Sequence, residues 1–169
     1  MQGWMGRACA AVVVAAAWLV WSAAPALGAT YTVTNTGDSG AGSLRAAING
    51  VDISPNPPDT IVFAPNVTGV IDLISGPLAI TQSVAIEGPG ASTLELDGNG
   101  GEIQIMTLSG TATASISGLE FGFGASTSAG GAIDNLGTLT VSDSTFTDST
   151  AGGNGGAGQF SGEGNGGAI

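Results

Sequence analysis

The chain contains no histidine and no lysine, and its one cysteine is Cys9. Without histidine, zinc sites built on His and Cys have no imidazole ligand, and Ser-His-Asp or Cys-His nucleophilic catalysis has no base. Positive charge is almost as scarce, with Arg7 and Arg45 standing against 13 acidic residues. A nucleic-acid binder displaces counterions from phosphates with Lys and Arg, so that class of partner is excluded. The same repulsion disfavours anionic lipid surfaces and polyanionic sugars such as pectate. At 169 residues the length accommodates about one domain.

What is present begins with an address. Met1 to Arg7 carries one positive charge, Ala8 to Val20 is an apolar run, and Trp21-Ser-Ala-Ala-Pro25 leads to Ala26-Leu27-Gly28, with small residues at the −3 and −1 positions of a cleavage site. That is the three-part layout of a secretory signal peptide over residues 1–28, with cleavage near Gly28 or Ala29. A membrane anchor is the competing reading, but the run falls short of the roughly 20 apolar residues a spanning helix needs, and Pro25 follows closely. Processing would remove Cys9, so no disulfide is available and stability must come from packing and backbone hydrogen bonds. It would also leave Arg45 alone against 13 acids, a side-chain balance of −12.

Beyond Thr30 the chain aligns on itself. Leu94-Glu-Leu96 falls on Leu119-Glu-Phe121 and then on Ser144-Thr-Phe146 at an offset of 25 residues, and Ile116-Ser-Gly118 falls on Val141-Ser-Asp143 at the same offset. Ile86-Glu-Gly88 matches Ile116-Ser-Gly118 at an offset of 30, the excess falling in Pro89–Thr93 before Leu94. Gly130-Gly-Ala-Ile133 recurs as Gly166-Gly-Ala-Ile169, spaced out by the insert 152–167, in which nine of 16 residues are glycine. Apolar pairs such as Val84/Ile86, Leu94/Leu96, Ile103/Ile105, Leu119/Phe121 and Leu139/Val141 alternate with polar neighbours, the period of short strands. A β-sandwich or jelly roll also uses short strands, yet has no reason to keep one register over three copies. A solenoid does, because each coil stacks on the next. The expectation is an all-β fold: a right-handed parallel β-helix, with about four incomplete coils in residues 61–169.

Residues 29–60 read as the cover for the first coil, whose open end would otherwise expose core and unpaired backbone. Tyr31–Asn35 predicts a strand, Gly37–Gly42 a turn, and Ser43 an N-cap for a short helix over Leu44–Ile48 with Leu44, Ala47 and Ile48 on one apolar stripe. Asp59–Phe63 begins the next strand. Arg45 reads first as a structural ion pair to a nearby acid such as Asp59, or as a partner of helix C-terminal carbonyls. The other reading, a substrate clamp or base, places it far from the groove along a solenoid's side.

The segment Asp38-Ser-Gly-Ala-Gly-Ser-Leu-Arg-Ala-Ala-Ile48 followed by Asp59-Thr-Ile-Val-Phe63 resembles the CSLREA-type N-terminal cap of bacterial exported β-helix proteins. Gly130-Gly-Ala-Ile133 with Phe146-Thr-Asp-Ser149 is similar to the GGAI and FxxN repeats of the chlamydial polymorphic outer membrane proteins, with Ser149 in place of the asparagine. Together the two cover most of residues 31–169. The resemblance implies a pectate-lyase-like β-helix and a surface-exposed or secreted passenger, in some members an adhesin or autotransporter.

Enzymes share that fold, so their residue requirements are a test. Uronate lyase chemistry resembles aspartates holding calcium beside an Arg or Lys base, and here Arg45 is the sole base candidate, in the cap. Glycoside hydrolysis needs two carboxylates about 5–10 Å apart. Glu95 and Glu120, in register at the offset of 25, are the one matching pair and the candidate catalytic residues, although Thr145 takes the place in the next coil. Stacked solvent-facing glutamates read first as a mildly repulsive surface pair. Asp143 and Asp148 read as turn residues that bond their own backbone. The glycines of 152–167 lack the aspartate of calcium nonapeptide repeats, Asn66-Val-Thr68 is a glycosylation sequon of the kind that arises by chance, and no phosphate-loop motif occurs. No cofactor and no metal site is expected.

The last four residues open a repeat without completing it, so the chain reads as the N-terminal piece of a longer product or a truncated gene model, and an uncovered coil predicts end-to-end self-association. The functional expectation is a non-enzymatic exported module at the outer surface of a bacterium or outside it, a passenger or adhesin whose partner is a surface glycan or protein. The alternative is a carbohydrate-active β-helix enzyme.

Overall fold

The computed structural model describes residues 28–55 and 57–151. The expected signal peptide, apart from Gly28, lies outside the described residues, as do the glycine-rich stretch 152–167 and the second Gly-Gly-Ala-Ile copy.

Strand β1 (Thr30–Val33) runs into a turn and then helix α1 (Leu44–Asp52). Ser43 caps the helix, its hydroxyl accepting from the Ala46 amide. The helix outlasts the expected end at Ile48 by one turn. Val51 extends the stripe of Leu44, Ala47 and Ile48, and all four are buried. Gly50 is the weak helix former that masks this continuation in the sequence, and the fold turns it to use, because the Tyr31 ring occupies the place a Cβ would take and its hydroxyl donates to the Gly50 carbonyl at 2.8 Å. The first strand is correspondingly shorter than Tyr31–Asn35, since Asn35 folds back to serve the turn through bonds to Gly37 and Ala41.

Four coils follow. The first holds β2 (Asp59–Phe63), β3 (Gly69–Asp72) and β4 (Leu78–Ile80), and the second holds β5 (Val84–Glu87), β6 (Leu94–Asp97) and β7 (Met106–Leu108). The third holds β8 (Thr113–Ser117), β9 (Glu120–Gly122), β10 (Ala125–Ser126) and β11 (Ile133–Asn135). The last described coil holds β12 (Thr138–Ser142), β13 (Thr145–Thr147) and β14 (Thr150–Ala151). Every pairing among them is parallel, which sets aside the sandwich reading. The sheets run up the stack as β1-β2-β5-β8-β12, β3-β6-β9-β13, β4-β7-β11 and β10-β14, the architecture of a parallel β-helix.

The register is the one the sequence predicts. Glu95 pairs with Glu120 and Glu120 with Thr145, while Ile86 pairs with Ile116 across the longer step. The extra residues lie in the turn between β5 and β6, because β6 to β9 is again a step of 25. Inward positions form apolar ladders, Ile61-Ile86-Ile116-Val141 on one side and Ile71-Leu96-Phe121-Phe146 on the next. The rings of Phe121 and Phe146 stack at 4.9 Å between centroids and 11° between planes. Full burial of side chains this size is worth about 1.5–3 kcal/mol each. In Gly130-Gly-Ala-Ile133, Ala132 and Ile133 enter the core. Gly131 is obligatory there, since a Cβ would lie 2.5 Å from the Thr150 carbonyl oxygen of the next coil.

Candidate functional site

The outward residues of β3, β6, β9 and β13 make one exposed sheet face. Along it Val70, Glu95, Glu120 and Thr145 form one ladder, and Asp72, Asp97, Gly122 and Thr147 the other. The fold therefore brings Glu95 and Glu120 together, and adds Asp72 and Asp97 beside them. The glutamates lean along the stack. A Cβ on Gly122 would lie 2.0 Å from Glu95 Oε1, so the absence of a side chain at Gly122 makes room for that carboxylate. Glu120 Oε1 accepts from the Thr147 hydroxyl at 3.1 Å. Partial burial, then the charges of Glu120, Asp97 and Asp72, push the Glu95 carboxyl above the usual carboxylate range. Chemically this face can share and hold protons. No group of three or more His, Cys, Asp or Glu side chains suited to a metal ion occurs among the described residues.

The cap engages Arg45 in the expected structural ion pair, with a different nearby acid. Its guanidinium pairs with Asp38 at 2.6 Å, not with Asp59, and the carbonyls it reaches are those of Asp38, Gly76 and Pro77, not those ending a helix. Asp38 in turn accepts from the Ser75 amide at 3.0 Å. Burial would raise the Asp38 carboxyl, but its bonds from Ser75 and Arg45 outweigh that and hold it below the usual range. Arg45 and Asp38 thus tie α1 and its preceding turn to the loop between β3 and β4. The geometry makes Arg45 a fastening.

Asp59 is left with a different environment. It is fully buried on β2, its Oδ1 accepts from the Ala29 amide at 2.6 Å, and its Oδ2 has no partner among the described residues. Asp143 and Asp148 sit in left-handed turns at φ 49° and 47°, a region Asp tolerates. The side-chain bonds of those turns come from their neighbours, however. Ser144 Oγ donates to the Ser142 carbonyl, and Ser149 Oγ donates to the Thr147 carbonyl. Asn66 of the sequon donates to the Thr34 carbonyl at 3.4 Å, a tie from the first coil to the cap.

A second face lies on the outside of β2, β5, β8 and β12, where Thr60, Ala85, Ser115 and Thr140 form a ladder of small side chains. With Pro57, Pro58 and Ser83 at its margin, this face carries an open groove of about 420 Å³. A smaller hollow of about 150 Å³ shares Ser115 and Thr140 and reaches Glu87 and Ser142. Neither hollow was legible in the sequence. The signal available was the run of small residues at one alternate position of the repeat, which needs the register of all four strands before it describes a surface.

No protein family, no curated protein and no solved structure matches the chain. Among the described residues no helix is long and apolar enough to cross a membrane.

Proposed function

We propose that the chain is an exported, acidic β-helix that acts at or beyond a bacterial cell surface as a binding module, a passenger or adhesin without a catalytic role, of the kind with a CSLREA-type cap and GGAI repeats. The observation that carries this reading is the groove along Ala85, Ser115 and Thr140, with Thr113 and Ser83 beside them. Stacked strands make it straight and stiff, small side chains keep it open, and its hydroxyls can exchange hydrogen bonds with an extended glycan or protein segment. Glu87, which lines the smaller hollow, and the excess of acids favour a neutral ligand over an anionic one.

A second reading has its own support. Glu95 and Glu120 are aligned on one face, and the raised Glu95 carboxyl is what a general acid of a glycosidase requires. One experiment separates the two. The exported chain is labelled and applied to immobilised neutral and acidic glycans, while soluble glycans are assayed for new reducing ends. Saturable binding to neutral glycans that is lost in Thr140→Trp, which fills the groove, supports the binding module. Release of reducing ends that is lost in Glu95→Gln replaces it with the enzyme, and binding unchanged by Thr140→Trp removes the groove from either.

A further inference from the structure

In the inward ladder that opens the first sheet, Asp59 pairs with Val84, Val84 with Ala114, and Ala114 with Leu139. Three coils put an apolar side chain at this position, and the first puts a carboxylate there, with no exposed surface. Burying a carboxylate costs several kcal/mol unless a cation or several donors receive it. Here one oxygen has the Ala29 amide and the other has no partner among the described residues. The cationic side chain among the described residues, Arg45, is already engaged by Asp38.

Resting on the export reading, we propose that Gly28–Ala29 is the bond cut during export and that the α-ammonium created on Ala29 is the partner of the buried Asp59 carboxylate. Hydrolysis by an export-linked endopeptidase adds water across that amide: the C–N bond breaks, Gly28 leaves as a carboxylate, and the Ala29 nitrogen gains protons to become an ammonium. That nitrogen already stands 2.6 Å from Asp59 Oδ1. Ala29 is anchored there because its carbonyl accepts from the Thr60 amide at 2.8 Å, one step before the Thr30–Thr60 pairing. Cleavage therefore supplies the missing charge and two further donors without moving the strand, turning a half-satisfied carboxylate into an ion pair. Gly28 fits the same account from the other side. A Cβ there would lie 1.8 Å from the Pro58 carbonyl oxygen, so the uncut chain passes this point with glycine, and glycine is also a small residue suited to the −1 position. Processing and folding are thereby coupled, since the solenoid's first coil receives its counter-ion when the leader leaves.

The chain itself provides the means of testing this. It has no lysine, so after processing the α-amine is its single amine and an amine-reactive ester has one target. The full gene is expressed in an exporting bacterial host, the exported product is mass-mapped at its N-terminus, and acylation of the amine is timed in folded and guanidinium-unfolded protein. We expect Ala29 as the first residue and acylation slowed in the folded state by about tenfold, the effect of a one-unit rise in the amine's pKa. Asp59→Asn should recover the unfolded rate, and if that variant does not fold, the folded-to-unfolded ratio of the parent decides. A first residue other than Ala29 in an exported product overturns the inference while leaving export standing. Ala29 first but acylated equally fast in both states overturns the ion pair. A product that retains Met1 inside the cell overturns export itself.

Discussion

At the capped end, polar side chains hold the backbone. Ser43 caps α1, Arg45 and Asp38 bind the loop between β3 and β4, and Asp52 accepts from the amides of Thr81 and Gln82. Along the coils the order is reversed: backbone pairs to backbone in parallel ladders, and, Asp59 apart, the inward side chains are apolar. The difference follows from periodicity. A coil meets a near-copy of itself above and below, so aligned backbone groups satisfy one another without help. The cap meets a coil unlike itself, and its unmatched backbone groups must be met by side chains chosen one at a time.

The comparison can be broken most sharply in the coils. Phe121→Ala removes a fully buried ring and its stack on Phe146, and should cost about 3–5 kcal/mol, read as a lowered urea midpoint. An equal loss in a cap variant would mean that the two regions are not held differently after all.

Next comes the fastening. Arg45→Met should cost about 1–3 kcal/mol, since Asp38 keeps its buried place and loses its charged donor. The cost depends on pH. The folded Asp38 carboxyl titrates below its unfolded value, so its stabilisation is present above the unfolded pKa and disappears as pH falls through the folded one. Thermal melts of parent and variant should therefore converge in acid; a gap that persists at low pH would assign the effect to lost packing. Ser43→Ala is smaller, about 1 kcal/mol, because it removes one cap bond from α1.

Glu95→Gln has the least effect and the opposite sign. A carboxyl raised in the folded state binds its proton more tightly there than in the unfolded chain, so ionisation lowers stability as pH rises through that window. The variant should melt slightly higher than the parent at neutral pH and no higher in acid. A lower melting temperature at neutral pH would show the carboxylate to be held by favourable contacts, not merely tolerated beside its neighbours.

Much of the fold was legible because a solenoid writes its tertiary contacts into sequence spacing. The step of 25 residues named Glu95, Glu120 and Thr145 as neighbours before any geometry was at hand. The helix start was equally plain, since Ser43 and the stripe behind it are local signals. Its end was not, because Gly50 argues for termination and what overrides it is the burial of Val51 against the core. Which nearby acid pairs with Arg45 was not legible for a similar reason. Asp38 is close in sequence and Asp59 is more distant, and the choice was made by where the loop at Gly76 and Pro77 brings its carbonyls.

Composition and periodicity alone determined that this is a stacked parallel β-fold, that it holds no histidine chemistry, and which residues form its ladders. Those properties are one-dimensional: they depend on residue type and on spacing along the chain. Only the tertiary structure decided that Asp72 and Asp97 join the glutamate pair, that small residues from three strands open one groove, and that Asp59 lies buried against the Ala29 nitrogen. Each of these depends on which side of a strand faces solvent and on how turns of unequal length close the coil. Such quantities arise from packing and have no counterpart in the order of residues.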